Sequence, residues 1–151
     1  MSCKNYRVLE MHNSAIGAVS VGAFMPLGKV TRRISECAGS GVPFEITSSG
    51  ADTIQLTSKG YYKVLYTASV VTGGAGTVTL QLMENGTAVA SGSTTATAAG
   101  TLNIVIAKEI RVFANCQSCP TNCPVDLQVL LSGTAITGGS SNIIVDSCVN
   151  G

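Results

Sequence analysis

Apolar and polar side chains alternate along this chain in short runs, and clusters of glycine separate the runs. From Tyr61 to Val71 the residues Tyr62, Val64, Tyr66, Ala68 and Val70 share one parity, while Lys63, Thr67 and Ser69 take the other. Side chains of an extended strand point alternately to its two faces, so a period of two predicts a strand with one buried face. Val78, Leu80 and Leu82 alternate with Thr77, Thr79 and Gln81 in the same way. Leu102, Ile104, Ile106, Ile110 and Val112 keep one parity, as do Leu127, Val129 and Leu131. The pattern predicts strands near 19–25, 43–47, 53–57, 61–71, 76–84, 87–91, 101–113, 125–132 and 142–149, the first of them from the alternation of Val19, Val21, Ala23 and Met25. That many short strands suit a sandwich of two sheets. Residues 1–14 are polar and mixed and show no strong period, so 1–18 reads as an arm or lead-in and 19–151 as the domain.

The breaks between runs carry their own signals. Asn85-Gly86, between Glu84 and Thr87, predicts a two-residue type I′ hairpin turn, whose two central residues both need positive φ. Asn85-Gly86-Thr87 also matches an N-glycosylation sequon, and the turn reading takes precedence. Gly39-Ser40-Gly41, Ser48-Ser49-Gly50, the stretch 73–76, Ala98-Ala99-Gly100 and Gly138-Gly139-Ser140-Ser141 read as loops. Ser91 to Gly100, nearly all small residues, reads as an edge strand followed by a loop.

Composition narrows the function. A chain of 151 residues is one domain, and its 42 Val, Ile and Thr residues agree with an all-β fold. Nine Lys and Arg against eight Asp and Glu leave a net charge of +1, without the electrostatic footprint of a nucleic-acid or acidic-membrane binder. One histidine, His12, and few carboxylates leave too little for general acid–base chemistry, so no enzyme and no cofactor are expected. No apolar run reaches the roughly 18 residues of a membrane helix. Ala15 to Leu27, preceded by Lys4 and Arg7, is too diluted by Gly17, Ser20, Gly22 and Pro26 for a signal-peptide core, so a non-exported product is expected. Only 11% of residues are charged, which leaves apolar area to be covered by other copies of the chain.

The one local cluster with chemical meaning is Cys116, Cys119 and Cys123, spaced C-x2-C-x3-C, with Pro120 and Pro124 beside them. Zinc needs four ligands, so a metal site would draw its fourth from Cys148, Cys37 or Cys3; a disulfide or free thiols in an exposed loop is the competing reading. His12 reads as a solvated side chain, and Lys29 with Arg32-Arg33 as a small basic cluster on a wet loop, able to meet phosphate or an acidic neighbour. The glycines of 73–76 lack the Lys-Ser/Thr and following helix of a phosphate loop.

The strand Gly60-Tyr61-Tyr62-Lys63-Val64-Leu65-Tyr66-Thr67-Ala68 resembles the central G-x-Y strand of the C1q and tumour-necrosis-factor-like jelly-roll family. Val42-Pro43-Phe44 before Ile54 and Leu56, the Asn85-Gly86 hairpin and the closing segments from Leu127 to Val149 follow in the family's order, over roughly residues 20–150. The resemblance implies a two-sheet antiparallel jelly-roll sandwich that assembles as a homotrimer, with apolar side chains meeting at a three-fold axis. In that frame Tyr62, Val64, Tyr66, Val78, Leu80, Leu82, Leu127 and Val129 are core or trimer-packing residues. The closing segment lacks the family's usual aromatic motif, so complement and receptor functions do not transfer.

Small versions of the fold rich in Ala, Gly and Thr look like those of bacteria and their phages. The expectation is a non-enzymatic, homotrimeric structural protein of a bacteriophage virion, a capsid decoration or head-fibre-like knob, assembled in the bacterial cytoplasm. It would bind itself and capsid or other virion proteins, attached through residues 1–20. One alternative is a receptor- or glycan-binding tip using Ser91–Gly100 and Gly138–Ser141; another is a secreted bacterial surface trimer.

Overall fold

A computed structural model of the chain describes residues 4–35, 46–57, 60–112 and 125–150. Ten strands follow one another: β1 (Lys4–Ile16), β2 (Lys29–Ser35), β3 (Ile46–Ser49), β4 (Thr53–Leu56), β5 (Gly60–Thr72), β6 (Gly76–Glu84), β7 (Thr87–Ala96), β8 (Gly100–Val112), β9 (Val125–Gly133) and β10 (Gly138–Asn150). They form two five-stranded sheets, one in the order β2-β1-β10-β5-β8 and the other β3-β4-β9-β6-β7. Every paired neighbour runs antiparallel. The fold is an all-β, two-sheet antiparallel jelly-roll sandwich.

The period of two decides which side of each sheet is inside. Tyr62, Val64, Tyr66, Ala68 and Val70 of β5 meet Ile104, Ile106, Ile110 and Val112 of β8 and Ile143 and Val145 of β10 on one inner face. Val78, Leu80 and Leu82 of β6, with Val125, Leu127, Val129 and Leu131 of β9, line the other. Full burial of one such side chain contributes about 1.5–3 kcal/mol, so this continuous layer holds the two sheets together.

The Glu84 to Thr87 hairpin has positive φ at both central positions, 49° at Asn85 and 83° at Gly86, as a type I′ turn requires. Asn85 has a second task that the turn signal did not reveal. Its N–H donates to the Asp126 carbonyl (2.9 Å) and its Oδ1 accepts from the Asp126 N–H (2.7 Å), which pins the turn to the start of β9.

Several expectations are corrected, the smallest being that Ser48 and Ser49, read as part of a loop, close β3. Residues 4–16, read as part of an arm, form an interior strand paired with both β10 and β2, so no boundary falls at residue 18. Their alternation is obscured because Arg7 takes a buried position beside Leu9 and Met11, while Val8, of opposite parity, is also shut from solvent. Residues 19–25, read as a strand, make only isolated bridges from Val19 to Ile136 and from Phe24 to Leu130. A turn at Ser20 to Ala23, closed by the Ala23 N–H on the Ser20 carbonyl, interrupts them, so Val21 is exposed while Val19 and Met25 are buried. Gly138–Ser141, read as a loop, opens β10 and pairs with Val71 to Ala68 of β5.

Gly139 permits that pairing. Its φ is 150°, and a Cβ there would run into the Ser69 carbonyl oxygen and close on the Val70 Cα. Gly139→Ala should destabilise the fold by about 2 kcal/mol or more, whereas Gly74→Ala, in open space, should change it by less than about 1 kcal/mol. Urea unfolding of the two variants checks the contrast.

Candidate functional site

Tyr62, Val64, Tyr66, Val78, Leu80, Leu82, Leu127 and Val129 all lie between the sheets, none more than 2% exposed. They pack the protomer and present nothing to a second copy. Cys3, Cys37, Cys116, Cys119 and Cys123 lie outside the described residues; the backbone of Cys148 stands on β10 opposite Tyr6 of β1. Among the described residues no three His, Cys, Asp or Glu side chains gather as metal ligands.

The outer faces of the two sheets differ in chemistry. That of the β6–β7–β9 region carries Thr77, Thr79, Gln81, Ser91, Ser93, Thr95 and Ser132, with Thr77 and Thr95 hydrogen-bonded across the strands at 2.9 Å. These side chains are polar and uncharged, with Phe24, 37% exposed, bridged to Leu130 of β9. The outer face of the other sheet is built in rows by the register of its strands. One row sets Glu109, Lys63 and Asp146 side by side; the next sets Ala107, Leu65, Ile144, Glu10 and Arg32; the third sets Val105, Thr67, Asn142, His12 and Lys29.

The alternation along β5 directed attention to its even positions as the functional apolar set, and the exposed one stands on the odd positions. Tyr61 is 54% exposed, Leu65 42% and Val105 60%, all on this face. The signal was present as Leu65 and Val105 breaking the polar parity of their strands. Between the strands that carry them, a depression of about 530 Å³ has Leu65, Ala107 and Ile144 in its lining and Lys63, Glu109 and Asp146 beside them. The Arg111 guanidinium lies 5.2 Å from the centre of the Tyr61 ring, a cation–π contact that holds the ring on the face.

Towards β1 and β2 the face becomes polar. Glu10 ties three strands: its carboxylate accepts from Asn142 Nδ2 (3.3 Å) and Thr31 Oγ1 (3.4 Å) and stands 4.0 Å from Arg32 Nε. A shallower depression of about 380 Å³ lies among His12, Thr67, Asn103, Val105, Ser140 and Asn142. Lys29, Arg32 and Arg33, read as a wet loop, are exposed on edge strand β2.

The Tyr66 phenol is perturbed, and it belongs to the core. Burial pushes the Tyr66 phenol up to about 12; the neighbouring Ser141 hydroxyl draws it down by less, and the two hydroxyls stop short of hydrogen-bonding geometry.

No family model matches the chain, and no curated protein is similar to it in sequence. Solved structures are similar in fold. The Eiger TNF of S. frugiperda superimposes with a TM-score of 0.63 at 10% identity, over 99% of this chain and 95% of that one. The globular domain of zebrafish complement 1qA gives 0.57 at 7%, over 91% and 94%. The PRD1 vertex protein P5 gives 0.52 at 18%, over 93% and 96%. The sandwich therefore has the C1q and tumour-necrosis-factor jelly-roll fold.

Tyr66 supplies a test of the core. Its phenol stays protonated in the folded chain up to about pH 12 and ionises in the unfolded chain from its ordinary value of 10.0, so its contribution to stability falls as pH rises through that window. Tyr66→Phe should flatten the loss of stability between those limits and, because it removes an unbonded buried hydroxyl, should cost less than about 1 kcal/mol at neutral pH. Urea unfolding of wild type and variant across that range reads both effects.

Proposed function

We propose that this chain is a non-enzymatic structural protein that works as a homotrimer, and that its place is on a bacteriophage virion as a capsid decoration or head-fibre-like knob. The observation that carries this reading is the exposed apolar set of Tyr61, Leu65 and Val105 on one sheet, opposite a sheet whose β6–β7 surface is hydroxyl-rich. This face holds three of the six exposed large apolar side chains among the described residues, and cyclic closure covers it without leaving a sticky surface at the end of an assembly. A second copy is the occupant: Glu109, Lys63 and Asp146 alternate in sign beside the apolar row, so neighbouring copies around a three-fold axis can set opposite charges against one another.

Two further points support the virion. The PRD1 vertex protein P5 shares the fold along nearly the whole of both chains. The face, apolar at its depression with charges beside it, has the chemistry of an assembly contact. The receptor- or glycan-binding reading loses one of its two proposed loops, since 138–141 is paired strand.

In native mass measurement the wild type should appear at three times its 15.4 kDa protomer mass. Leu65→Asp with Val105→Asp should leave a folded protomer, because unpaired charges buried in the contact cost about 3–5 kcal/mol. Thr79→Asp on the other outer face should leave the trimer intact. A wild-type protomer mass, or a trimer that survives the double change, would overturn the reading.

A further inference from the structure

The net charge of +1 conceals a strong segregation. Of the nine Lys and Arg residues, Lys4, Arg7, Lys29, Arg32, Arg33, Lys63, Lys108 and Arg111 stand on β1, β2, β5 and β8, all in one sheet. The strands of the other sheet carry Glu84 and Asp126 and no cation. Within the cationic sheet the density peaks at β2, where Lys29, Arg32 and Arg33 fall within seven residues. β2 is also the end of its sheet: β1 is its neighbour on one side, and among the described residues no strand pairs with the other.

We infer that the outer edge of β2 is a docking strand for an extended, carboxylate-rich segment of a different polypeptide. An edge strand offers backbone N–H and C=O groups that a second strand can pair with, and its side chains then select which strand. The register sets the cations on both sides of that edge. Arg32 is opposite Glu10 and Lys29 opposite His12 on the outer face, whereas Arg33 is opposite the core residue Leu9 and so lies on the other side. Side chains of an added strand also alternate between those two sides, so acidic residues on either parity would meet a cation. The irregularity at Thr31 and the row of like charges disfavour pairing of β2 with β2 of another copy.

The strands of a second copy's other sheet do not supply the acidic segment. Glu84 and Asp126 belong to β6 and β9, which are interior strands with both edges paired, and Asp126 already accepts from Gln55 Nε2 at 3.1 Å. Nucleic acid fits less well. The edge offers few cations, none of the residues of β2 is aromatic, and phosphodiesters do not complete a sheet. The apolar set lies on β5 and β8, at the far side of the sheet, so self-association and docking use different surfaces. The inference rests on the proposed structural role only in naming the partner as another protein of the same particle.

The test uses the full chain and three labelled probes at low salt: a short peptide alternating glutamate with valine, its lysine-valine counterpart, and a short oligothymidylate. The acidic peptide should bind more tightly than either other probe, weaken as salt rises, and slow hydrogen exchange of the amides in 29–35. Lys29→Glu with Arg33→Glu, both exposed positions, should weaken it by about tenfold or more. Failure of the acidic peptide to bind, binding without protection of β2, equal binding of the oligothymidylate, or an unchanged affinity in the variant would each overturn the inference. Native mass keeps the two ideas apart: a variant that stays trimeric and no longer binds peptide supports docking at β2, whereas a wild-type protomer that binds peptide at β2 sinks only the trimer.

Discussion

The mutual burial of two alternating apolar faces is the interaction on which the rest of this molecule depends. Tyr62, Val64, Tyr66 and Val70 from one sheet and Leu80, Leu82, Leu127 and Val129 from the other are closed to solvent or nearly so, and each is placed there by strand parity. Parity also dictates the remainder. Once the even positions of β5 are inside, Tyr61, Lys63 and Leu65 must stand outside, and the outer face inherits whatever chemistry those positions hold. The chemistry of the outer face is thus a consequence of the core.

The two outer faces share a backbone plan and differ in physical character. One carries hydroxyls and amides along β6, β7 and β9. The other grades across its width from an exposed apolar set on β5 and β8, through the Glu10 network on β1, to a cationic edge on β2. Similar sandwiches occur in a complement domain, a TNF and a viral vertex protein at 7–18% identity, so the fold supplies a frame and side chains on its outside decide what is bound.

Strands whose two faces meet different environments were legible in the residue pattern alone. β5, β6, β8 and β9 each bury one face against the core and wet the other, so the alternation of their residues is clean. β1 and β2 were not legible. β1 is interior, and Arg7 on the buried parity with Val8 covered on the other erases its period. β2 buries little, so no selection for alternation acts on it, and its cations read as a loop. Gly138–Ser141 read as a loop because glycine marks turns, whereas Gly139 serves a close approach to the Ser69 carbonyl.

The amino-acid sequence by itself determined the fold class, the inner faces of the long strands and the Asn85-Gly86 turn, because these follow from local steric preference and from a period that one strand displays alone. Tertiary structure decided the order of strands in each sheet, the rows in which Leu65 meets Ala107 and Ile144, and the place of Lys29, Arg32 and Arg33 on the end strand of their sheet. Each of those depends on which distant strand lies alongside, and strand pairing is settled by the packing of the whole core.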